Sequence, residues 1–160
     1  MSGNAAFAVP KDRQEVTVRL ETGAALKGEI FLEYISNDAS NHQKVTAFLE
    51  NDNTFFPLKV HNGSTEFISK KNVQYVEVIF PENPNVNYFS SLPMVSIPVN
   101  ALFGNGESVS GDLIAEVPAE RTRLSDCLNL QTKFLNVKTD SKICYINKDA
   151  LQKVVHDGKV

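Results

Sequence analysis

The chain repeats itself, and that limits its fold more than any other feature. Val16, Gly23, Gly28 and Glu33 recur in order as Val99, Gly106, Gly111 and Glu116. Leu49, Phe55 and Lys59 recur as Leu128, Phe134 and Lys138, and Ile68, Lys70, Gln74 and Val76 as Ile146, Lys148, Gln152 and Val154. Where identity fails, apolar character is kept, as at Leu20/Phe103, Leu26/Val109, Ile30/Leu113 and Phe56/Leu135. An internal repeat means that one small unit is built twice. Units of roughly 60 residues lie near the lower limit for an independent core, so two of them gain by packing together. The break falls in Pro81-Glu82-Asn83-Pro84-Asn85-Val86-Asn87, where Pro and Asn interrupt all periodicity. The sequence divides into a first unit at 1–80, a linker at 81–94 and a second unit at 95–160.

Each unit reads as five short strands. Val16-Thr17-Val18-Arg19-Leu20 alternates as a half-buried strand does, Thr22-Gly23 turns the chain, and Leu26–Tyr34 follows as a long second strand. Gly28 and Gly111 occupy the same place early in the second strand of each unit, where a glycine marks sharp bending or close backbone approach. Thr54–Val60 and Thr65–Ser69 flank Asn62-Gly63, a strong hairpin signal. Gln74–Phe80 is the fifth strand. Pro57 has no N–H for a ladder, so the third strand of the first unit is expected to be an edge at that point.

Inserts separate strands two and three, Ile35–Asn53 in the first unit and Pro118–Gln131 in the second. In them Val45, Phe48 and Leu49 match Leu124, Cys127 and Leu128 at the spacing of one helical face. Ser125 and Asp126 are both placed to cap that turn. Because Cys127 aligns with Phe48, it reads as a core filler and not as a nucleophile. Cys127 and Cys144 form no CxxC and are expected to be free buried thiols, as in a reducing cytoplasm. His42, His61 and His156 are isolated from one another and are expected on the surface or in loops.

The run Val18-Arg19-Leu20-Glu21-Thr22-Gly23-Ala24-Ala25-Leu26-Lys27-Gly28-Glu29-Ile30 and its counterpart Val99–Leu113 place a turn glycine, an apolar residue, a second glycine and an apolar strand in one order. This resembles the first half of the Sm motif of Sm-like (LSm) barrels, and with five strands of this length the resemblance extends over about 16–80 and 95–156. Other SH3-type barrels share the spacing. The fold class expected is therefore all-β with short helical turns, a tandem repeat of two small Sm-like or SH3-like five-stranded barrels. The RNA-binding elements of the Sm family are not matched. The Asp-x-x-Met-Asn element after strand two is replaced by the inserts, and the turns after strand four read Lys70-Lys71-Asn72 and Lys148-Asp149-Ala150 without glycine.

Composition and motifs limit the function further. Net charge is −3, with 16 Lys and Arg against 19 Asp and Glu, so bulk attraction to phosphate is weak. No GxGxxG, GxxxxGK[ST], HExxH or GxSxG occurs. Acidic pairs such as Glu50/Asp52 and Glu29/Glu33 read as a solvated face. No enzyme activity, metal or cofactor is expected. The start of the chain carries no basic, long apolar leader and no stretch suits a membrane span, so a cytoplasmic protein is expected.

Two readings remain. The first is a non-catalytic structural or assembly protein whose partner is another copy of itself. Pro81–Met94 is long enough for Gln74–Phe80 to lie beside Ile143–Asn147 of the same chain, which leaves Thr65–Ser69 and Leu151–Val155 as free edges. The second is RNA or single-stranded nucleic-acid binding. It would use Lys70, Lys71 and Lys148 in the turns after strand four, Arg121 and Arg123 beside the helical turn, and Phe55 or Phe134 as stacking platforms. The two phenylalanines point away from Phe56/Leu58 and Leu135/Val137. At equivalent outward positions they are costly to leave in water, and cover from a helical turn or a neighbouring barrel is expected.

Overall fold

A computed structural model describes residues 11–79 and 94–156. The sequence of elements is β1 (Lys11–Leu20), β2 (Ala25–Glu33), α1 (Asn41–Glu50), β3 (Phe55–Val60), β4 (Thr65–Ser69) and β5 (Val73–Ile79), then β6 (Val95–Phe103), β7 (Ser108–Ala115), α2 (Leu124–Leu128), β8 (Phe134–Lys138), β9 (Lys142–Asn147) and β10 (Leu151–His156). Short 3-10 turns, Lys70–Asn72 and Lys148–Ala150, join β4 to β5 and β9 to β10. Except for Met94, the linker read at 81–94 lies outside the described residues, as does Phe80. Among the described residues, no helix is long and apolar enough to cross a membrane.

The chain is all-β apart from these helices. The ten strands of the described residues form one antiparallel sheet in the order β10-β6-β7-β8-β9-β5-β1-β2-β3-β4. Within it the same local order appears twice: a fifth strand beside a first, then second, third and fourth. The halves meet where β5 pairs with β9, with Tyr75 opposite Ile146, Glu77 opposite Cys144 and Ile79 opposite Lys142. This is the contact the linker length was expected to permit. Among the described residues the free edges are β4 and β10.

Local chemistry explains the shared outline. The turns that follow the first strand of each half contain Gly23 and Gly106, both at φ 93°, a conformation that costs glycine little and other residues more. Further along, β3 crosses so near Gly28 that an added Cβ would overlap the Lys59 carbonyl oxygen, and a Cβ on Gly111 would lie 2.5 Å from that of Lys138. The close approach read from the two glycines is present. β3 pairs with β2 only at Lys59 and Val60, so Pro57 faces β4 alone and no ladder requires its missing N–H. By contrast Asn136, its counterpart, pairs on both sides, with Ile114 and Tyr145.

Each half buries a core. Val18, Ile30, Leu58, Val76 and Val78 are wholly enclosed in the first, and Phe103, Leu113, Val137 and Ile146 in the second. The clusters are not confined to their halves. Ile114, Phe134, Ile143 and Tyr145 of the second half join the first core. α1 reaches Ile114, Phe134 and Tyr145, and β5 sets Val78 opposite Ile143. The helix begins with a capping box in which Ser40 and Gln43 satisfy each other's backbone N–H groups.

Cys127 is buried in the second core beside Leu124 and Leu128, as its alignment with Phe48 implied, and both cysteines are free thiols. Asp126, and not Ser125, caps the turn, accepting the Arg123 backbone N–H at 3.2 Å. Cys127→Ser is expected to destabilise the chain by about 1–3 kcal/mol by burying a hydroxyl among apolar groups. The native thiol should react with maleimide far more slowly than the unfolded one. Rapid labelling of the native protein at Cys127 would show the packing to be wrong.

Candidate functional site

The seam between the halves and the two open edges hold the chemistry that distinguishes this chain. Along the seam, Arg19 of β1 and Glu107 in the β6–β7 turn form an ion pair at 2.8 Å, which raises the guanidinium pKa and lowers that of the carboxyl, chiefly through their mutual hydrogen bond. Both groups are about one-third exposed, so this pair contributes little to stability. Asn105 Nδ2 donates to Gln74 Oε1 at 2.8 Å, the Tyr75 and Phe103 rings sit 5.9 Å apart, and Lys142 Nζ reaches Glu77 at 3.1 Å. Asn147 Nδ2 donates to the Val73 carbonyl at 2.9 Å and the Lys70 carbonyl at 3.2 Å, pinning β9 to the turn before β5.

On the other side of the seam, α1 covers the second half. Glu50, read from sequence as a solvating carboxylate, instead accepts the backbone N–H groups of Lys133 and Phe134 at 2.8 and 2.9 Å. Lys133 Nζ returns to the Asn51 carbonyl at 3.0 Å. His42 corrects the expectation that every histidine is superficial, because it is only 7% exposed. Its Nδ1 lies 2.8 Å from the Tyr145 hydroxyl, the two rings stack 5.6 Å apart, and Asn136 Nδ2 lies 3.5 Å from its Nε2. Burial lowers its pKa to about 4, so the imidazole is neutral at pH 7.

His42, Thr46, Leu49 and Glu50 from α1 close a cavity of about 230 Å³ whose opposite wall includes Ile114, Cys127, Phe134 and Tyr145. Cys127 and His42 share this cavity, but burial raises the thiol pKa and lowers that of the imidazole. A neutral thiol beside a weak base is not poised as a nucleophile. Cys144 is further from reactivity, its pKa pushed up to about 12 by burial and by Glu77. Among the described residues no three His, Cys, Asp or Glu side chains come together as a metal site.

The residues named for nucleic-acid contact are divided by the fold. The two 3-10 turns pack against each other, which brings Lys70, Lys71 and Lys148 to one region. Lys70 Nζ is held by the Asn51 carbonyl at 2.8 Å and Asn51 Oδ1 at 2.7 Å, and Lys148 Nζ by the Leu130 carbonyl at 2.6 Å. Burial lowers the pKa of both. Lys71 is exposed, as are Arg121 and Arg123, the latter bonded to Asp126.

Phe55 and Phe134, equivalent in sequence, are not equivalent in space. Phe134 is 6% exposed, covered by α1 as expected of a helical turn over that position, whereas Phe55 is 54% exposed. The same split occurs one strand away: Tyr145 is 1% exposed and its counterpart Phe67 is 68% exposed. Neither Glu50 nor His42 could be singled out from sequence, because neither has an identical partner in the repeat. In comparison with known proteins, no family model, no curated protein and no solved structure matches this chain.

Proposed function

We propose that the chain is a non-catalytic, Sm-like structural or assembly protein of two tandem barrels that forms homo-oligomers through its free edges, β10 of one copy pairing with β4 of the next. The observation that carries this reading is the unequal fate of equivalent aromatic residues. Where strand four meets a strand five, at β9 and β5, Phe134 and Tyr145 are buried; where strand four is open, at β4, Phe55 and Phe67 are exposed. Fully burying a side chain of this size is favourable by about 1.5–3 kcal/mol, and an unpaired strand edge invites a further strand. Ser69, at the end of β4, is the counterpart of Asn147, and its hydroxyl is buried without a hydrogen-bond partner. By the repeat, the carbonyls that would meet it are those of Lys148 and Leu151 in a second copy.

Each chain contributes two barrels, so a closed ring contains an even number of them. A trimer is the expected species, and a dimer that blocks both edges the next. Light scattering on the purified chain at tens of micromolar tests this, with Phe67→Glu, which places a charge on the exposed edge, expected to yield monomer with an unchanged melting temperature. A strictly monomeric wild type would end the proposal. The competing reading is nucleic-acid binding by the turn lysines, and the carbonyl bonds of Lys70 and Lys148 weigh against it. Binding to oligo-U is expected to be no tighter than non-specific, on the order of 10⁻⁴–10⁻⁶ M at physiological salt. Salt-sensitive nanomolar binding that is lost on Lys70→Glu with Lys148→Glu would overturn the assembly reading.

A further inference from the structure

The repeat lets the internal seam be read as a template, residue by residue, for a surface that the chain leaves uncovered. In the internal cavity the wall supplied by the second half includes Ile114, Glu116, Cys127, Leu130, Thr132 and Asn136. Their counterparts in the first half are Phe31, Glu33, Phe48, Asn51, Asn53 and Pro57, and all six line one groove on the other side of α1. Tyr34 and Ile35, 54% and 50% exposed, extend that groove with apolar surface. The internal wall is closed by His42, Thr46, Leu49 and Glu50 of α1. No described element of the same chain occupies the corresponding position over the groove.

The counterparts of those four α1 residues are Arg121, Ser125, Leu128 and Asn129. Arg121, Ser125 and Asn129 are exposed, and they line a separate depression beside Val117 and Pro118. One chain therefore presents the wall at its β4 end and the closing segment at its β10 end. We propose that Arg121–Asn129 of one copy, containing α2, seats in the groove formed by Phe31, Glu33, Phe48 and Pro57 of the next copy, as α1 seats on the second half of its own chain. This rests on the assembly reading and assigns it a second contact besides the strand pairing.

The chemistry of the substituted positions suits the contact. His42 stacks on Tyr145; in its place Arg121 meets Phe67, and a guanidinium stacks on an aromatic face at least as well as an imidazole does. Glu33 lies in the groove where Arg121 arrives. Of the residues lining the groove, the cation Lys44 is already paired with Asp12, and Glu33 stands opposite Lys11 in the β1–β2 ladder, so the incoming guanidinium adds a second cation beside that carboxylate. Leu128 takes the place of Leu49, which shares a core with Phe134, and so falls over Phe55. Asn129 takes the place of Glu50 and presents a side-chain oxygen toward the Phe55 amide. The contact is heterologous, one surface meeting a different one, and it propagates from copy to copy until a ring closes.

A charge exchange tests it. Arg121→Glu sets two carboxylates face to face, and Glu33→Arg sets two cations there; each is expected to weaken association at least tenfold in light scattering at low salt. The double variant, with the charges exchanged, is expected to restore it. In a second experiment Asn129→Cys and Phe55→Cys in one chain, treated with a short bis-maleimide, are expected to give multimers that survive denaturing gels, the native thiols Cys127 and Cys144 being buried. If the wild type associates and Phe67→Glu abolishes this, while Arg121→Glu has no effect and no cross-link forms, the seating of α2 is wrong and the edge pairing stands. If the wild type is monomeric, both are wrong.

Discussion

Replacing Gly28 or Gly111 with alanine is expected to lower the stability of the chain by about 1–3 kcal/mol each, and by roughly the sum in the double variant. The sign is not that of an ordinary glycine replacement. Alanine restricts the unfolded chain and, where the native backbone accepts it, stabilises by about 0.4–1 kcal/mol. Here the new methyl group meets backbone. At Gly28 it would overlap the Lys59 carbonyl oxygen and lie 3.0 Å from Val60 Cα; at Gly111 it would lie 2.5 Å from the Lys138 carbonyl oxygen and 2.9 Å from Val137 Cγ1. A side-chain methyl can shift, but a ladder carbonyl moves only if the strand moves. β2 and β3 share just the pairs Gly28–Val60 and Glu29–Lys59, so displacing β3 at Gly28 removes the whole of that ladder. At about 2–4 °C per kcal/mol for a chain of this size, thermal melting resolves the effect. A melting temperature unchanged or raised in either variant would show that the strands do not cross at these glycines.

Between pH 6.5 and 4 the wild type is expected to lose on the order of 3 kcal/mol of stability through His42 alone. Burial lowers this pKa from 6.5 to about 4, so in that interval the unfolded chain holds a proton that the folded chain refuses. Stability from the neutral imidazole is therefore intact above about pH 6.5, declines as pH falls toward 4, and changes no further below. The protonated ring would face the Tyr145 hydroxyl and the Asn136 amide nitrogen, in a cavity lined by Leu49 and Leu113 as well as by the carboxylates of Glu50 and Glu116, and burial outweighs the latter. Carboxylates elsewhere, including Glu107 and Asp126 with their lowered pKa values, add their own acid dependence at lower pH. Subtracting the urea-unfolding profile of His42→Gln from that of the wild type isolates the histidine. Parallel profiles across pH 4–6.5 would mean that His42 is solvated and that α1 does not close the seam as described.

Much of the fold was legible because its causes are local. Alternation places Val16 and Val18 inside whichever way the sheet is later assembled, and a glycine early in the second strand records a close approach wherever it occurs. Cys127 could be placed in a core because Phe48 stands at the same point of the repeat. Even the β5–β9 pairing could be anticipated, since open edges seek a partner and the linker after the first unit is long enough to let its fifth strand lie beside the fourth strand of the second. None of this depends on knowing what lies beyond each edge.

The candidate site was legible only in outline, for the opposite reason. Phe55 and Phe134 have the same identity and strand position, each followed by an apolar residue, yet one is exposed and the other buried. Glu50 and Asp52 look alike as surface acids, but only Glu50 lies where the Lys133 and Phe134 amides need an acceptor. His42 became a buried neutral base because α1 was laid against Tyr145, more than a hundred residues away in the chain. The amino-acid pattern by itself determined two copies of one strand order, with their turns, glycine crossings and core faces, since those follow from periodicity and backbone sterics over a few residues. Only the tertiary structure decided which copy's fourth strand is covered, because joining the units in one chain closes one seam between them and leaves an unlike edge open at each end.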